Sequence, residues 1–160
     1  MANSTFNGPI RSENGFKNIV KSSTTGGVTS TMTLETYTAT ITVANGDTTG
    51  KETAVGIPAN FIPMGVTVAV TTASTNSVNL NDIGTDADTD GYVDGISAAL
   101  NTTGFKGFFG CNGVLGMSGF TTASSGLVGD EVELVVSGDP GSDTVIVLKF
   151  FGISSSSDAS

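Results

Sequence analysis

The stretch Ile57–Leu100, IPANFIPMGVTVAVTTASTNSVNLNDIGTDADTDGYVDGISAAL, decides the fold. Within it Val66, Val68 and Val70 alternate with Thr67 and Ala69. One face is apolar and the other small or polar, the period of a half-buried strand, and the β-branched residues suit a pleated surface. Ile57-Pro58 and Ile62-Pro63 precede it, and each proline lacks an N–H and drives its predecessor into an extended conformation. An extended lead-in, hinged at Gly65, therefore enters the strand. Thr71–Asn76 is turn-forming, and Val78 and Leu80 alternate with Asn79 and Asn81, so the spacing predicts a hairpin of two strands.

The loop that follows places Asp86, Asp88 and Asp90 at alternate positions, then Gly91, Tyr92 and Val93, and Asp94 at the ninth position. Carboxylates at positions one, three and five with Gly at six begin a calcium loop: the oxygens wrap a hard cation, the Gly turns the chain, and the Tyr92 carbonyl supplies position seven. Position twelve is Ser97 rather than a bidentate Glu, and no Leu-rich helices flank the loop. Two readings stay open, a calcium site using Asp86, Asp88, Asp90, Tyr92 and Asp94, or a solvated acidic turn with no cofactor at all.

Around this core stretch the composition is that of an all-β protein. The chain has 160 residues, enough for one domain with a real core. Thr, Ser, Gly, Val and Asn dominate, only 13% of residues are charged, and Trp and His are absent. Few charges, much Thr and Gly, and no long helical period describe strands joined by short turns. The net charge of −9 disfavours a nucleic-acid partner, which would need clustered Lys and Arg. Arg11, Lys17 and Lys21 fall in the first 21 residues, whereas the acids concentrate at 82–94 and 130–143. Cys111 stands alone, so no intramolecular disulfide forms. No apolar run has signal-peptide or transmembrane length, so no membrane role is expected and synthesis in a cytoplasm is.

Residues 1–29 read as an N-terminal arm, punctuated by Gly8-Pro9, Asn14-Gly15 and Gly26-Gly27, with Phe6, Ile10, Phe16, Ile19 and Val20 as spaced apolar anchors. Residues 30–153 read as the sandwich domain and 154–160 as a Ser-rich tail. Tyr37, Ala39, Ile41 and Val43 interleave with Thr38, Thr40 and Thr42, a strand with a Thr-lined outer face ended by the Asn45-Gly46 turn. Residues 45–53 read as a polar loop, and Ile96–Leu100 as a helical turn or a short strand. Six glycines recur every third residue from Gly104 to Gly119, each followed by an apolar residue, among them Phe105, Phe108 and Cys111. Imino acids are absent from the run, so collagen is excluded and a Gly-rich strand with bulges is expected. Val132, Leu134 and Val136 alternate, and Gly138–Gly141 is a turn. The last run, TVIVLKFF from Thr144 to Phe151, is apolar on both faces apart from Lys149, so it is either central in a sandwich or covered by another subunit.

Without His, neither a Ser-His-Asp nor a Cys-His catalytic arrangement is possible, nor a His/Cys zinc site. The carboxylate pairs lack an aromatic platform for sugar beyond Tyr92, and no phosphate loop or dinucleotide fingerprint is present. A non-enzymatic protein is expected.

Three segments carry a resemblance. They are STFNGPIRS at Ser4–Ser12 with Asn14-Gly15-Phe16; Ile57–Thr72; and Asn79–Thr85 with DGYVDG at Asp90–Gly95. Together they resemble small virion structural proteins of tailed bacteriophages, especially marine and cyanobacterial podoviruses, over about half of the chain. The resemblance implies a head decoration, or cement, protein: an antiparallel, jelly-roll-like β-sandwich on the head surface whose arm lies on the major capsid protein. It implies partner contacts through Phe6, Ile10, Arg11 and Phe16 of the arm. A homotrimer is also expected, its axis lined by Phe105, Phe108, Phe109, Phe150 and Phe151. The alternative is a tail-fibre or knob domain that binds a host receptor or glycan, which an exposed aromatic cluster near Tyr92 would favour. A calcium-binding adhesin module is a third class, disfavoured by the missing secretion signal.

Overall fold

The fold is known from a computed structural model that describes residues 17–21, 24, 28–52, 61–86, 88–111 and 132–156. These residues form strands and no helix. β1 is Lys17–Lys21, β2 Val28–Val43, β3 Thr49–Lys51, β4 Phe61–Thr72 and β5 Asn79–Gly84. β6 is Ala98–Ala99, β7 Gly104–Gly110, β8 Glu133–Val136 and β9 Thr144–Ser156. All pairings are antiparallel, in one sheet ordered β1-β2-β9-β4-β7 and a second ordered β3-β8-β5-β6. Setting β1 aside, two four-stranded sheets remain, and every connection from β2 onward except β5–β6 crosses between them. That is the strand order of a jelly roll, so the predicted all-β sandwich is the observed one.

Alternation builds the core as the sequence requires. On β2, Ala39, Ile41 and Val43 are buried and Thr38, Thr40 and Thr42 are exposed; on β4, Val66, Val68 and Val70 point inward. β9 adds Ile146, Leu148 and Phe150, and the second sheet supplies Leu80, Ile83, Leu134 and Val136. The two inner faces interdigitate as one cluster. β9 is central, with β2 on one side and β4 on the other; its inward side chains are buried and its outward Val145 and Val147 are half-buried between those strands.

Several expectations change. Val66–Val70 and Val78–Leu80 are not partners in a hairpin: β4 and β5 belong to different sheets, and residues 73–78 carry the chain across. Alternation identifies strands but does not name their neighbours. The lead-in to β4 is itself strand from Phe61, with Pro63 opposite Gly152 and Met64 as an extra, bulged residue. The loop at 45–53 contains β3. Ile96–Leu100 holds the two-residue β6 rather than a helical turn. The sheet begins thirteen positions before residue 30, since β1 pairs with β2 from Lys17 opposite Thr33. Residues 1–16, the Gly-x-y run beyond Cys111 and the tail beyond Ser156 lie outside the described residues.

The two ends of the sandwich differ. At one end the four crossing loops are tied together. The N–H of Asn45 donates to Asp143 Oδ1 at 3.0 Å and that of Gly46 to Asp139 Oδ1 at 2.9 Å. Thr75 and Asn76 both donate to the Pro140 carbonyl at 3.0 Å, and Ser74 donates to the Leu100 carbonyl at 3.0 Å. Gly141, at φ 71°, allows the loops to close up, because a Cβ there would stand 2.5 Å from Thr75 Oγ1. The N–H donors of Gly141 and Gly46 hold the Asp139 carboxyl below the usual carboxylate range. The acidic loop lies at the opposite end.

Candidate interaction surface

The outer face of the larger sheet turns from polar to apolar along its length. Near the tied loops it is lined by Thr38, Thr40, Thr42 and Thr71; toward the other end it carries Leu34, Met64, Phe108 and Phe151. These four side chains, with Gly65, Thr67 and Gly152, surround an open depression of about 370 Å³. The register explains the grouping. Phe151 sits between Thr36 of β2 and Gly65 of β4, and Gly65 is opposite Gly110 of β7. Phe108 lies over Gly65, where a Cβ would collide with its ring, and so meets Phe151 edge to face with centroids 6.1 Å apart. Lys149 places its ammonium 5.9 Å from the Phe151 ring centre. Phe105 is a further exposed aromatic on β7, at 69% of its full accessibility. A register shift between Val68 and Ala69 separates it from Phe108.

The expected contact residues therefore divide. Phe105, Phe108 and Phe151 are on the surface. Phe150 is not: it is fully buried, with Tyr92 edge-on at 5.5 Å and Tyr37 at 6.3 Å, because neighbours on a strand face opposite sides. Phe109 packs against the core for the same reason. Phe6, Ile10, Arg11 and Phe16 lie outside the described residues. Leu34 and Met64 were missed. Leu34 was legible, since extending the even-numbered Thr face back from Thr38 reaches it; Met64 projects only because of the bulge.

The acidic loop is held by its own backbone. Thr85 and Asp88 exchange N–H donors and carbonyl acceptors at 2.8 and 3.2 Å, and Ile83 and Val93 do the same at 2.9 Å. This seats Tyr92 in the core rather than at the surface. Asp86 pairs with Lys51, which also approaches Glu133 at 3.6 Å. Lys51 holds the Asp86 carboxyl below its ordinary range, while burial, with Asp86 nearby, pushes Glu133 up. Asp88 is pushed up by the adjoining Asp90 carboxyl. Asp94 is exposed. Among the described residues no three acidic, Cys or His side chains converge as metal ligands would. The loop brings Asp88 and Asp90 together and commits Asp86 to Lys51. Calcium binding is tested by melting: chelator is expected to leave the melting temperature unchanged. A fall of about 2–4 °C, reversed by calcium, would establish a native-state ion.

A buried polar pair sits nearby, the Tyr37 hydroxyl donating to Glu52 Oε2 at 2.6 Å. Burial raises the Glu52 carboxyl above its usual range. Cys111 is half-buried against the core, which pushes its thiol up to about 12, so it is an inert packing residue. No helix among the described residues is long and apolar enough to cross a membrane.

No family model and no curated protein matches the chain. Among solved structures it is similar to a chain of the cyanophage Pam1 capsid asymmetric unit. The two are 16% identical with a TM-score of 0.52, over 94% of this chain and 96% of the other.

Proposed function

We propose that the protein is a non-enzymatic virion structural component of a tailed bacteriophage. In this reading it decorates the head and stabilises it by binding the major capsid protein. One observation carries the docking: the exposed apolar end of the outer sheet face, where Leu34, Met64, Phe108 and Phe151 surround a depression. Contiguous apolar patches on otherwise polar proteins mark interaction sites. Burying what these four side chains still expose is worth about 3–7 kcal/mol before the costs of association. Contacts made only in the assembled shell stabilise that state by mass action. The virion setting is supported by the resemblance of the sequence to small phage virion proteins and by the fold shared with a cyanophage capsid chain. A receptor-binding knob is less well supported, because Tyr92, the aromatic of the acidic loop, is buried. The homotrimer expected from the sequence would bury the same residues, Phe105, Phe108 and Phe151.

Antibody labelling of particles from the virus that encodes the chain tests the setting. Head labelling is expected; labelling of the tail alone, or none, overturns it. Phe108→Asp tests the face. The side chain is exposed, so folding stability is expected to change by less than about 1 kcal/mol. Affinity for heads lacking the protein is expected to fall at least about 100-fold. Unchanged occupancy would move the docking site elsewhere.

A further inference from the structure

We infer that Lys51 and Asp86 condense to an intramolecular amide, a covalent cross-link between Lys51 Nζ and Asp86 Cγ whose formation Glu133 catalyses. The register of the smaller sheet brings the three residues together. Lys51 ends β3, Glu133 begins β8, and Asp86 follows the end of β5 by two residues. β8 lies between β3 and β5, with Glu133 opposite Lys51 on one side and opposite Gly84 on the other. Residues paired across strands share a face, and neighbours on a strand face opposite sides. Glu52 and Leu134 are buried, so Lys51 and Glu133 are together on the outer face.

Their contacts supply a nucleophile, an electrophile and a proton carrier. Lys51 Nζ touches Asp86 Oδ1 and lies 3.6 Å from Glu133 Oε2. The Glu133 and Asp86 carboxyls are hydrogen-bonded to each other. Two carboxyls bond in this way only with a proton between them. Lys51 lowers Asp86 and burial raises Glu133, so the proton resides on Glu133. Although it is on the outer face, the Glu133 side chain is only 8% exposed, against 39% for Lys51 and 58% for Asp86. An exposed ion pair contributes little and needs no buried acid beside it. The costly burial of Glu133 sets a proton donor and acceptor against both reacting groups.

The reaction balances with these groups alone. Glu133 passes its proton to the Asp86 carboxylate and takes one from the Lys51 ammonium, which leaves a neutral acid and a neutral amine. Lys51 Nζ attacks Asp86 Cγ. Glu133 carries a proton from the nitrogen to the departing hydroxyl, the Cγ–O bond breaks, and one water leaves on the solvent side. An ammonium and a carboxylate become an amide and water, Glu133 ends protonated as it began, and nothing is oxidised or reduced. A free amine and a free acid do not condense in water, but groups held in contact reach effective molarities of about 10⁵–10⁸ M. The reaction occurs once, on the chain itself, without turnover. It fastens β3, a three-residue strand at the sheet edge, to a side chain 35 positions later. Closing that loop restricts the unfolded chain. The inference is independent of the virion setting.

Intact mass spectrometry of the purified, denatured full chain tests it. The protein is expected to be lighter than its sequence by one water. Proteolysis is expected to release a branched peptide that joins Lys51 to Asp86. Glu133→Gln and Lys51→Arg are each expected to restore the sequence mass, with far-UV circular dichroism reporting whether the sheets persist. The two wild-type measurements stand whether or not the variants fold. The full sequence mass after days of incubation of the folded protein at neutral pH overturns the inference. So does a water loss that persists in Lys51→Arg, which would assign it to succinimide formation at Asp90-Gly91 or Asp94-Gly95. A branched peptide that joins Lys51 to Glu133 instead overturns it as well.

Discussion

Phe150→Ala is expected to destabilise the protein by about 3–5 kcal/mol, the range for emptying an aromatic site in a packed core. The ring is fully buried between Tyr92 of the acidic loop and Tyr37 of β2, and Tyr92 meets it edge-on. Its loss removes transfer free energy and the aromatic contacts together and leaves a cavity that short strands cannot close. Against a typical total of about 5–15 kcal/mol, this leaves a protein near its threshold. Urea denaturation of the purified variant measures it as a lowered midpoint at unchanged slope. A loss below about 1 kcal/mol would mean that the ring is not in the core. Its neighbour is the control: Phe151→Asp, on the outer face, is expected to cost less, about 1–2 kcal/mol, since the ring is 37% exposed and loses only its contact with Phe108 and the surrounding sheet face.

Gly84→Ala is the second large effect. The Cβ would be driven into the backbone of the acidic loop, against the Asp88 carbonyl and 2.6 Å from the Thr89 carbonyl oxygen. Backbone atoms cannot swing aside as a side-chain tip can, so the cost is expected at or above the upper end of about 1–3 kcal/mol. The damage falls on the Thr85–Asp88 exchange of hydrogen bonds and, through it, on the seating of Tyr92. Hydrogen exchange reads this directly: the Thr85, Asp88 and Tyr92 amides are expected to lose protection before those of β2 and β9. Wild-type stability with intact protection would show that the loop moves freely away from Gly84.

The strands were legible where a clear period of two was present. Tyr37–Val43, Val66–Val70 and Val132–Val136 all alternate, and each holds a strand, the last from Glu133, with the expected face buried. Two-sided apolarity at Thr144–Phe151 left open a central strand or one covered by another subunit, and the strand is central in its sheet. Pairing was not legible, because a jelly roll joins strands far apart in sequence: Val66 lies between Phe150 and Phe109, not beside Val78. Short β3 and β6 carry too few residues to express a period. Of the aromatic residues expected at a contact, Phe105, Phe108 and Phe151 are exposed, whereas Phe150 is buried and Phe109 packs against the core. Residue type says what a contact would gain, whereas parity says which face a side chain is on. In the acidic loop, spacing suggested ligands that would converge, but Lys51, 35 positions away in sequence, takes Asp86.

The position of β9 has a consequence for how the chain comes to be made. Every other strand described precedes it in sequence, yet it lies in the middle of the larger sheet, paired with β2 from Thr31 opposite Ser156 to Val43 opposite Thr144. A ribosome therefore delivers β2 and β4 well before the strand that joins them. At about 5–20 residues per second, the interval between Thr72 and Thr144 is about 4–14 s. During it the nascent chain holds two half-sheets with facing, unfilled edges. Assembly waits for the last strand rather than advancing with synthesis, and its distant pairings are the slow kind. A message broken before the codon for Thr144 yields not a smaller sandwich but a sticky fragment, the kind of product that quality-control proteases must remove.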